Sequence, residues 1–211
     1  MLRSLAAPLA LVAAVTLAAP AHSEPTFGPQ STATAVFAGG CFWGIEGVFE
    51  HVKGVMSATA GYAGGSVASP TYEQVSSGTT GHAEAVRVTY DPAQITYEQL
   101  LEVFFTVAHD PTQLNRQGPD HGTQYRSVVF YNDTAQQRVV QDYVGELMRK
   151  GIVSKPVVTQ IVPLTTFYEA EEHHQNYMAR HPRAMYIVYN DAPKVANLTR
   201  QVPALYREPI P

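Results

Sequence analysis

The chain has almost no cysteine. A single one, Cys41, occurs in 211 residues, which excludes an internal disulfide framework and a cysteine-rich zinc site. Basic clusters are missing as well. Lysine and arginine number 14 against 18 acidic residues, a net charge of -4, and no stripe of positive charge is available to track a nucleic-acid backbone. Beyond residue 21 no apolar run is long enough to span a bilayer, so neither a nucleic-acid partner nor stable membrane insertion is expected. The zinc-protease pattern His-Glu-x-x-His is absent. His109, His121, His173, His174 and His181, with Asp110 and Asp120, are ligand types in poor spacing, and no metal is expected. No repeat and no hinge-like linker divides the sequence.

Residues 1–21 read as a secretory signal. Arg3 supplies the positive start, 5–18 the apolar stretch, and Ala19-Pro20-Ala21 a small-x-small cleavage site. No cysteine follows that would carry a lipid, so an extracytoplasmic, periplasmic protein is expected. Residues 22–32, with Pro25, Gly28 and Pro29, form a flexible lead-in. Residues 33–190 are one domain's worth of chain, and 191–211 a tail that packs on it or trails from it. A lone thiol in an exported protein is a leftover or a working group, and oxidising compartments select against leftovers.

Periodicity places strands at 33–38, 55–62, 84–90, 125–131, 157–162 and 185–189. Helices are expected at 42–51, 96–108, 134–150 and 170–180, with a weak one at 195–202. Thr96 and Gln99 make a capping box, and Asn132-Asp133-Thr134 caps the 134–150 helix. Residues 64–80 read as a surface loop with a helical turn at 70–75. Residues 109–124 form a long aperiodic loop whose histidines and aspartates mark it as functional. Strands alternating with helices imply one α/β domain with the strand order open.

Cys41 falls where the first strand, through Gly39-Gly40, meets the first helix. Unpaired N–H groups and the helix dipole there favour a thiolate, and the glycines leave the sulfur open to approach. Trp43, the only tryptophan, stands beside Phe42. The stretch reads as a nucleophile next to an aromatic clamp or as one more buried small hydrophobe. Glu84 shares a strand face with Val86, Val88 and Tyr90, so burial should raise its pKa and make it a proton donor. Tyr72 and Tyr125 are phenols at loop junctions, able to hydrogen-bond a substrate oxygen. Tyr125 shares parity with Val129 on the core side. His173 and Tyr177 are spaced to share a helix face. An exported Cys-His hydrolase with His109, His121 or His174 as base stays open, as does a non-catalytic exported module that uses only the aromatic pocket.

Gly40-Cys41-Phe42-Trp43-Gly44 resembles the active-site motif of the A-class peptide methionine sulfoxide reductases. The likeness continues through Gly61-Tyr62-Ala63-Gly64-Gly65, Pro70-Thr71-Tyr72, Gly81-His82-Ala83-Glu84 and His109-Asp110-Pro111-Thr112. It runs on through Asp120-His121-Gly122-Thr123-Gln124-Tyr125 and Glu171-Glu172-His173-His174-Gln175-Asn176-Tyr177, in order across nearly the whole domain. The resemblance implies an α+β two-layer sandwich, a mixed sheet with packed helices related to the ferredoxin-like plan. It implies reduction of methionine S-sulfoxide, free or in proteins, with no metal or organic cofactor. By position Cys41 is the nucleophile, Glu84 the proton donor, Tyr72 and Tyr125 the oxygen's hydrogen-bond donors, and Phe42 and Trp43 the methyl pocket. Asp120 and His121 support substrate binding. Many relatives carry resolving cysteines in a C-terminal tail; this tail has none. An external thiol, thioredoxin-like, glutaredoxin-like or small, is therefore expected to restore Cys41, and the enzyme is expected to act as a monomer.

Overall fold

In the computed structural model, which describes residues 31–208, eight strands follow in chain order. They are β1 (Ala33–Ala38), β2 (Val55–Ala63), β3 (Ala83–Tyr90), the short ribbon β4 (Arg116–Gln117) and β5 (Asp120–His121), β6 (Val128–Tyr131), β7 (Gln160–Pro163) and β8 (Phe167–Glu169). The expected signal sequence, and the lead-in as far as residue 30, lie outside the described residues.

Six strands form one sheet in the order β7-β6-β1-β3-β2-β8. Its central pair, β1 and β3, runs antiparallel with Phe37 opposite Val86. β6 and β7 are parallel, which makes the sheet mixed. Both faces are buried. On one, Phe37, Ala60, Tyr62, Val86 and Val88 join the main core; on the other, Val36, Ala38, Ala63, Ala83 and Ala85 lie with Phe130 beneath Val162, Leu164 and Phe167. A one-residue slip would exchange the two sets, so the register is fixed from both sides.

The helices are α1 (Phe42–Glu50), α2 (Tyr72–Ser76), α3 (Tyr97–Val103), α4 (Thr134–Arg149), α5 (Tyr177–Arg180) and α6 (Ala192–Gln201). α1 presents Phe42, Ile45, Val48 and Phe49 to the main core, and α3 presents Leu100 and Leu101. Phe37 stacks at 5.3 Å on Phe49 and at 4.8 Å on Phe104. The expected capping boxes and caps form: Thr96 with Gln99 opens α3, and Asp133 accepts the Gln136 N–H at the start of α4.

Several expected elements are corrected. Residues 185–189 are helical, not a strand, and run through a π-helical turn, Ile187–Asp191, into α6. Alternation would group Met185 with Ile187 and Tyr189, yet Ile187 is buried while its two partners are 67% and 69% exposed. The 170–180 helix is broken into a 3-10 turn, Glu172–His174, and the four-residue α5. The break has a cause far away in sequence. The Gln175 amide binds both the N–H and the C=O of Ala60 at 2.9 Å, and Glu46 accepts the N–H of Asn176, which adopts φ +53°. His173 and Tyr177 therefore share no helix. The 96–108 helix ends in a π-helical turn, Phe104–Ala108. Tyr125 lies in a 3-10 turn, Thr123–Tyr125, ahead of β6 and not on it. The 109–124 loop contains the β4–β5 ribbon. The tail packs on the domain: Leu198 is fully buried, and Lys53 N–H donates to Leu205 C=O at 2.7 Å.

Glu46, on the buried face of α1, carries a stability consequence. Burial, with Glu50 adding to it, pushes its carboxyl from 4.5 up to about 8. The folded chain thus binds a proton that the unfolded chain releases near 4.5, so stability is fully present below that pH and is lost as pH rises through about 8. Glu46→Gln keeps an acceptor for Asn176 and removes the titration. It is expected to flatten the decline in unfolding free energy between about pH 5 and 8 by on the order of 2–4 kcal/mol. Denaturant titrations of the two proteins across that range check this, and identical slopes would contradict it.

Candidate active site

The junction between β1 and α1 is closed from above. Gly40 has φ +104°, and a Cβ there would lie 2.6 Å from Cβ of Gln117 in β4. A Cβ on Gly39 would lie 2.8 Å from the His109 ring. The two glycines therefore admit the ribbon and His109 to the junction. His109 is buried, donates from Nδ1 to Phe104 C=O at 2.8 Å, and has Nε2 2.7 Å from the Ser127 hydroxyl. Burial pulls its pKa down to about 4. With both nitrogens occupied it is no base for Cys41.

Cys41 is the N-cap of α1 and is 8% exposed. Burial first, then Glu84 and Asp191, push its thiol well above the usual range; the Trp43 N–H and Lys194 act the other way. The resting group is thus a thiol, not the thiolate that a helix N-terminus alone favours. Burial is the main reason, and Glu84 adds to it. The Phe42 N–H is donated to Glu84 Oε2 at 3.0 Å, so a carboxyl group occupies part of the positive end of the helix. Glu84 is 2% exposed. Burial, with Asp120 and Asp191, pushes it up to about 8 against the opposing Phe42 N–H, the direction its place on the buried strand face predicts.

The phenols flank this pair. Tyr72 opens α2, whose Thr71–Gln74 capping box is complete. Its N–H donates to Glu171 Oε1 at 2.8 Å, and Tyr62 O–H donates to Glu171 Oε2 at 2.8 Å. Glu171 thereby ties Tyr72 to the strand residue opposite Glu84. The turn carrying Tyr125 is tied to α2 by Gln124, which donates to Ser76 C=O at 3.2 Å. Burial and the neighbouring Glu84 raise the pKa of both Tyr72 and Tyr125, leaving neutral O–H donors.

An aromatic wall stands beside Cys41. Phe42 is buried, and Trp43 stacks on Tyr177 at 3.7 Å with 9° between the planes. Trp43 Nε1–H donates to His174 Nδ1 at 3.2 Å, and Tyr186 meets the indole edge-on at 5.8 Å. Tyr186 O–H donates to Asp120, which brings the β4–β5 ribbon to the wall. His174 spends Nδ1 on the indole, so it too is no base. His121 is exposed, and among the described residues its side chain makes no hydrogen bond or ring contact with this cluster. The structure thus brings together Cys41, Glu84, Tyr72, Tyr125, Phe42, Trp43 and Asp120, and leaves His121 outside. Sequence reasoning missed Tyr186, Asp191 and Glu171. Tyr186 lies in the segment whose alternation imitates a strand, Asp191 opens the stretch expected to be tail, and Glu171 is visible only as part of a family block. Among the described residues no group of three or more His, Cys, Asp or Glu side chains is placed to hold a metal ion.

Comparison with known proteins converges on one family. The peptide methionine sulfoxide reductase family model matches residues 33–205. The chain is 55% identical over 175 residues to a peptide methionine sulfoxide reductase, MsrA 2, of Mesorhizobium japonicum, covering 83% of this chain and 90% of that one. It is 54% identical over 164 residues to MsrA of Natronomonas pharaonis, covering 78% and 92%. Among solved structures it resembles reduced Mxr1 from Saccharomyces cerevisiae, with TM-score 0.67, 35% identity and coverage of 75% and 91%. It also resembles methionine sulfoxide reductase A of Corynebacterium diphtheriae, with TM-score 0.65, 37% identity and coverage of 74% and 78%. These likenesses carry the mixed sheet with packed helices as well as the sequence, and by both measures the chain belongs to the peptide methionine sulfoxide reductase family.

Proposed function

We propose that the chain reduces methionine S-sulfoxide, free or within proteins, to methionine, with Cys41 as nucleophile and Glu84 as proton donor. The observation that carries the reading is the juxtaposition of a buried thiol with a buried, proton-bearing carboxyl group beside the Phe42–Trp43 wall. The substrate methyl lies against the aromatics, and the sulfoxide oxygen faces Glu84, Tyr72 and Tyr125. Holding oxygen and methyl on opposite sides is what selects one epimer, since an apolar wall alone discriminates weakly. Asp120 keeps Tyr186, and through it the wall, in place.

Glu84 Oε2 already accepts the Phe42 N–H, which leaves Oε1 to carry the acid proton. Cys41 Sγ attacks the sulfoxide sulfur while Glu84 passes its proton to the oxygen, where negative charge grows. The hydroxyl ends on Cys41 as methionine departs, and the thiol proton restores Glu84. Substrate sulfur gains two electrons, and Cys41 loses two to become a sulfenic acid. No second cysteine exists, so an external thiol displaces water to give a mixed disulfide, and a second thiol releases Cys41. A thioredoxin-like protein, a glutaredoxin-like protein or a small thiol fits that role. The N-terminal apolar stretch supports an exported, periplasmic enzyme, whose reductant must then also be extracytoplasmic.

Steady-state assays with the two sulfoxide epimers and a series of thiols test this. Turnover of the S-epimer alone, at a rate set by the thiol supplied, is the expected outcome. Equal use of both epimers, or hydrolysis of an ester or amide with the sulfoxide untouched, would contradict it.

A further inference from the structure

Gly44 lies in the first turn of α1, three residues past Cys41, and the tail fills the space its missing side chain leaves. A Cβ there would lie 2.1 Å from Asp191 Oδ1 and 2.6 Å from Lys194 Nζ. Asp191 is fully buried; its Oδ1 accepts from Lys194 Nζ at 3.1 Å, and its Oδ2 has no partner among the described residues. The Lys194 side chain is only 18% exposed. Residues three apart on a helix are neighbours on one surface, about 5–6 Å apart, so this charge pair sits against the turn that Cys41 caps. Burying such a pair gains little stability, because desolvation cancels most of the attraction. A packing role alone accounts poorly for its position.

The surrounding charge is one-sided. Glu84 from β3, Asp120 from β5 and Asp191 are acids, while Tyr72, Tyr125 and Tyr186 are phenols held neutral. His109 and His174 are buried with lowered pKa, and so add no positive charge at neutral pH. Lys194 is the cation whose charge reaches Cys41, and it reaches His109 as well.

We propose that Lys194, held by Asp191 against the Gly44 gap, is the counter-charge that lets Cys41 become a thiolate when substrate enters. It is a positioning residue, acting through its field and touching no reacting atom. Asp191 both anchors and partly cancels it. The absent resolving cysteine is thus not the only way the tail bears on the nucleophile. The idea rests on Cys41 being the reductase's nucleophile, but the test uses no sulfoxide and can fail independently of that reading.

Cys41 is the only thiol, so the rate of alkylation of the full chain by iodoacetamide, followed against pH, reports its ionisation directly. Lys194→Met is expected to move the midpoint up by about one unit and slow alkylation about tenfold at a fixed pH below it. Asp191→Asn is expected to move the midpoint down and speed alkylation, and Lys194→Arg to keep it near that of the unaltered chain. A purely structural pair gives no such opposition of sign. Shifts of Lys194→Met and Asp191→Asn in the same direction, or none in either, would overturn the proposal. If Lys194→Met does not fold, Lys194→Gln and Asp191→Asn decide by the same criterion.

Discussion

Glu84→Gln is expected to slow single-turnover reduction of methionine S-sulfoxide by about 100- to 10,000-fold, while making Cys41 easier to alkylate. The two effects have opposite signs because the carboxyl group does two things. Held proton-bearing up to about pH 8 by burial, it supplies the proton without which the sulfoxide oxygen is a poor leaving group. Once ionised, its charge opposes a thiolate at Cys41. Glutamine keeps an oxygen to accept the Phe42 N–H, so the start of α1 is preserved while both the proton and the charge are lost. Rapid-quench measurement of methionine formed, set beside iodoacetamide rates above pH 8, separates the roles. A loss of less than about tenfold in reduction would remove Glu84 as the acid. Slower alkylation would contradict the electrostatic coupling.

Gly40→Ala is expected to destabilise the fold by about 2–5 kcal/mol and to cost about 100-fold in single-turnover rate. Two terms add in the first number. Alanine at φ +104° is forced into a left-handed conformation, at about 1–2 kcal/mol. Its Cβ would also meet Gln117 Cβ and Cγ at 2.6 Å, an overlap of the kind that costs about 1–3 kcal/mol. Gln117 cannot swing aside freely: its amide accepts from Asp110 N–H and donates to Asp110 C=O, both at 3.1 Å. Strain therefore passes to the backbone that carries Cys41, and displacing a nucleophile by about 1 Å is enough for a 100-fold loss. Combining the change with Gln117→Gly removes the overlap and leaves the positive-φ strain, so part of the stability should return. Denaturant unfolding of the single and double variants checks this; a Gly40→Ala protein as stable as the unaltered chain would contradict it.

What the sequence disclosed and what it withheld divide along the range of the interactions involved. β1, α1 and β3 were legible because each is stabilised by its own periodic apolar face, and the caps at Thr96 and Asp133 because capping is a contact across three residues. Glu84 was legible through strand phase alone. The helix expected at 170–180 failed because Ala60 and Glu46, more than a hundred residues away, claim Gln175 and Asn176. The strand expected at 185–189 failed for a related reason: the alternation of Met185, Ile187 and Tyr189 is accidental, and packing buries only Ile187. That error conceals Tyr186, while Asp191 lies just past it in the stretch expected to be tail. Cys41 stands out in the sequence by isolation and position, but the helix dipole is the only guide to its ionisation there. Burial and two carboxyl groups, which no local pattern reveals, reverse the sign.

The central claim is that Cys41 takes the substrate's oxygen and has no internal partner to pass it to. Intact-mass analysis of reduced chain incubated with methionine S-sulfoxide and no thiol tests it most directly, with a sulfenic-acid trap added and methionine quantified in parallel. One methionine per chain, one oxygen gained at Cys41, and neither in Cys41→Ser, is the expected result. Repeated turnover without a thiol, or methionine formed by Cys41→Ser, would contradict it.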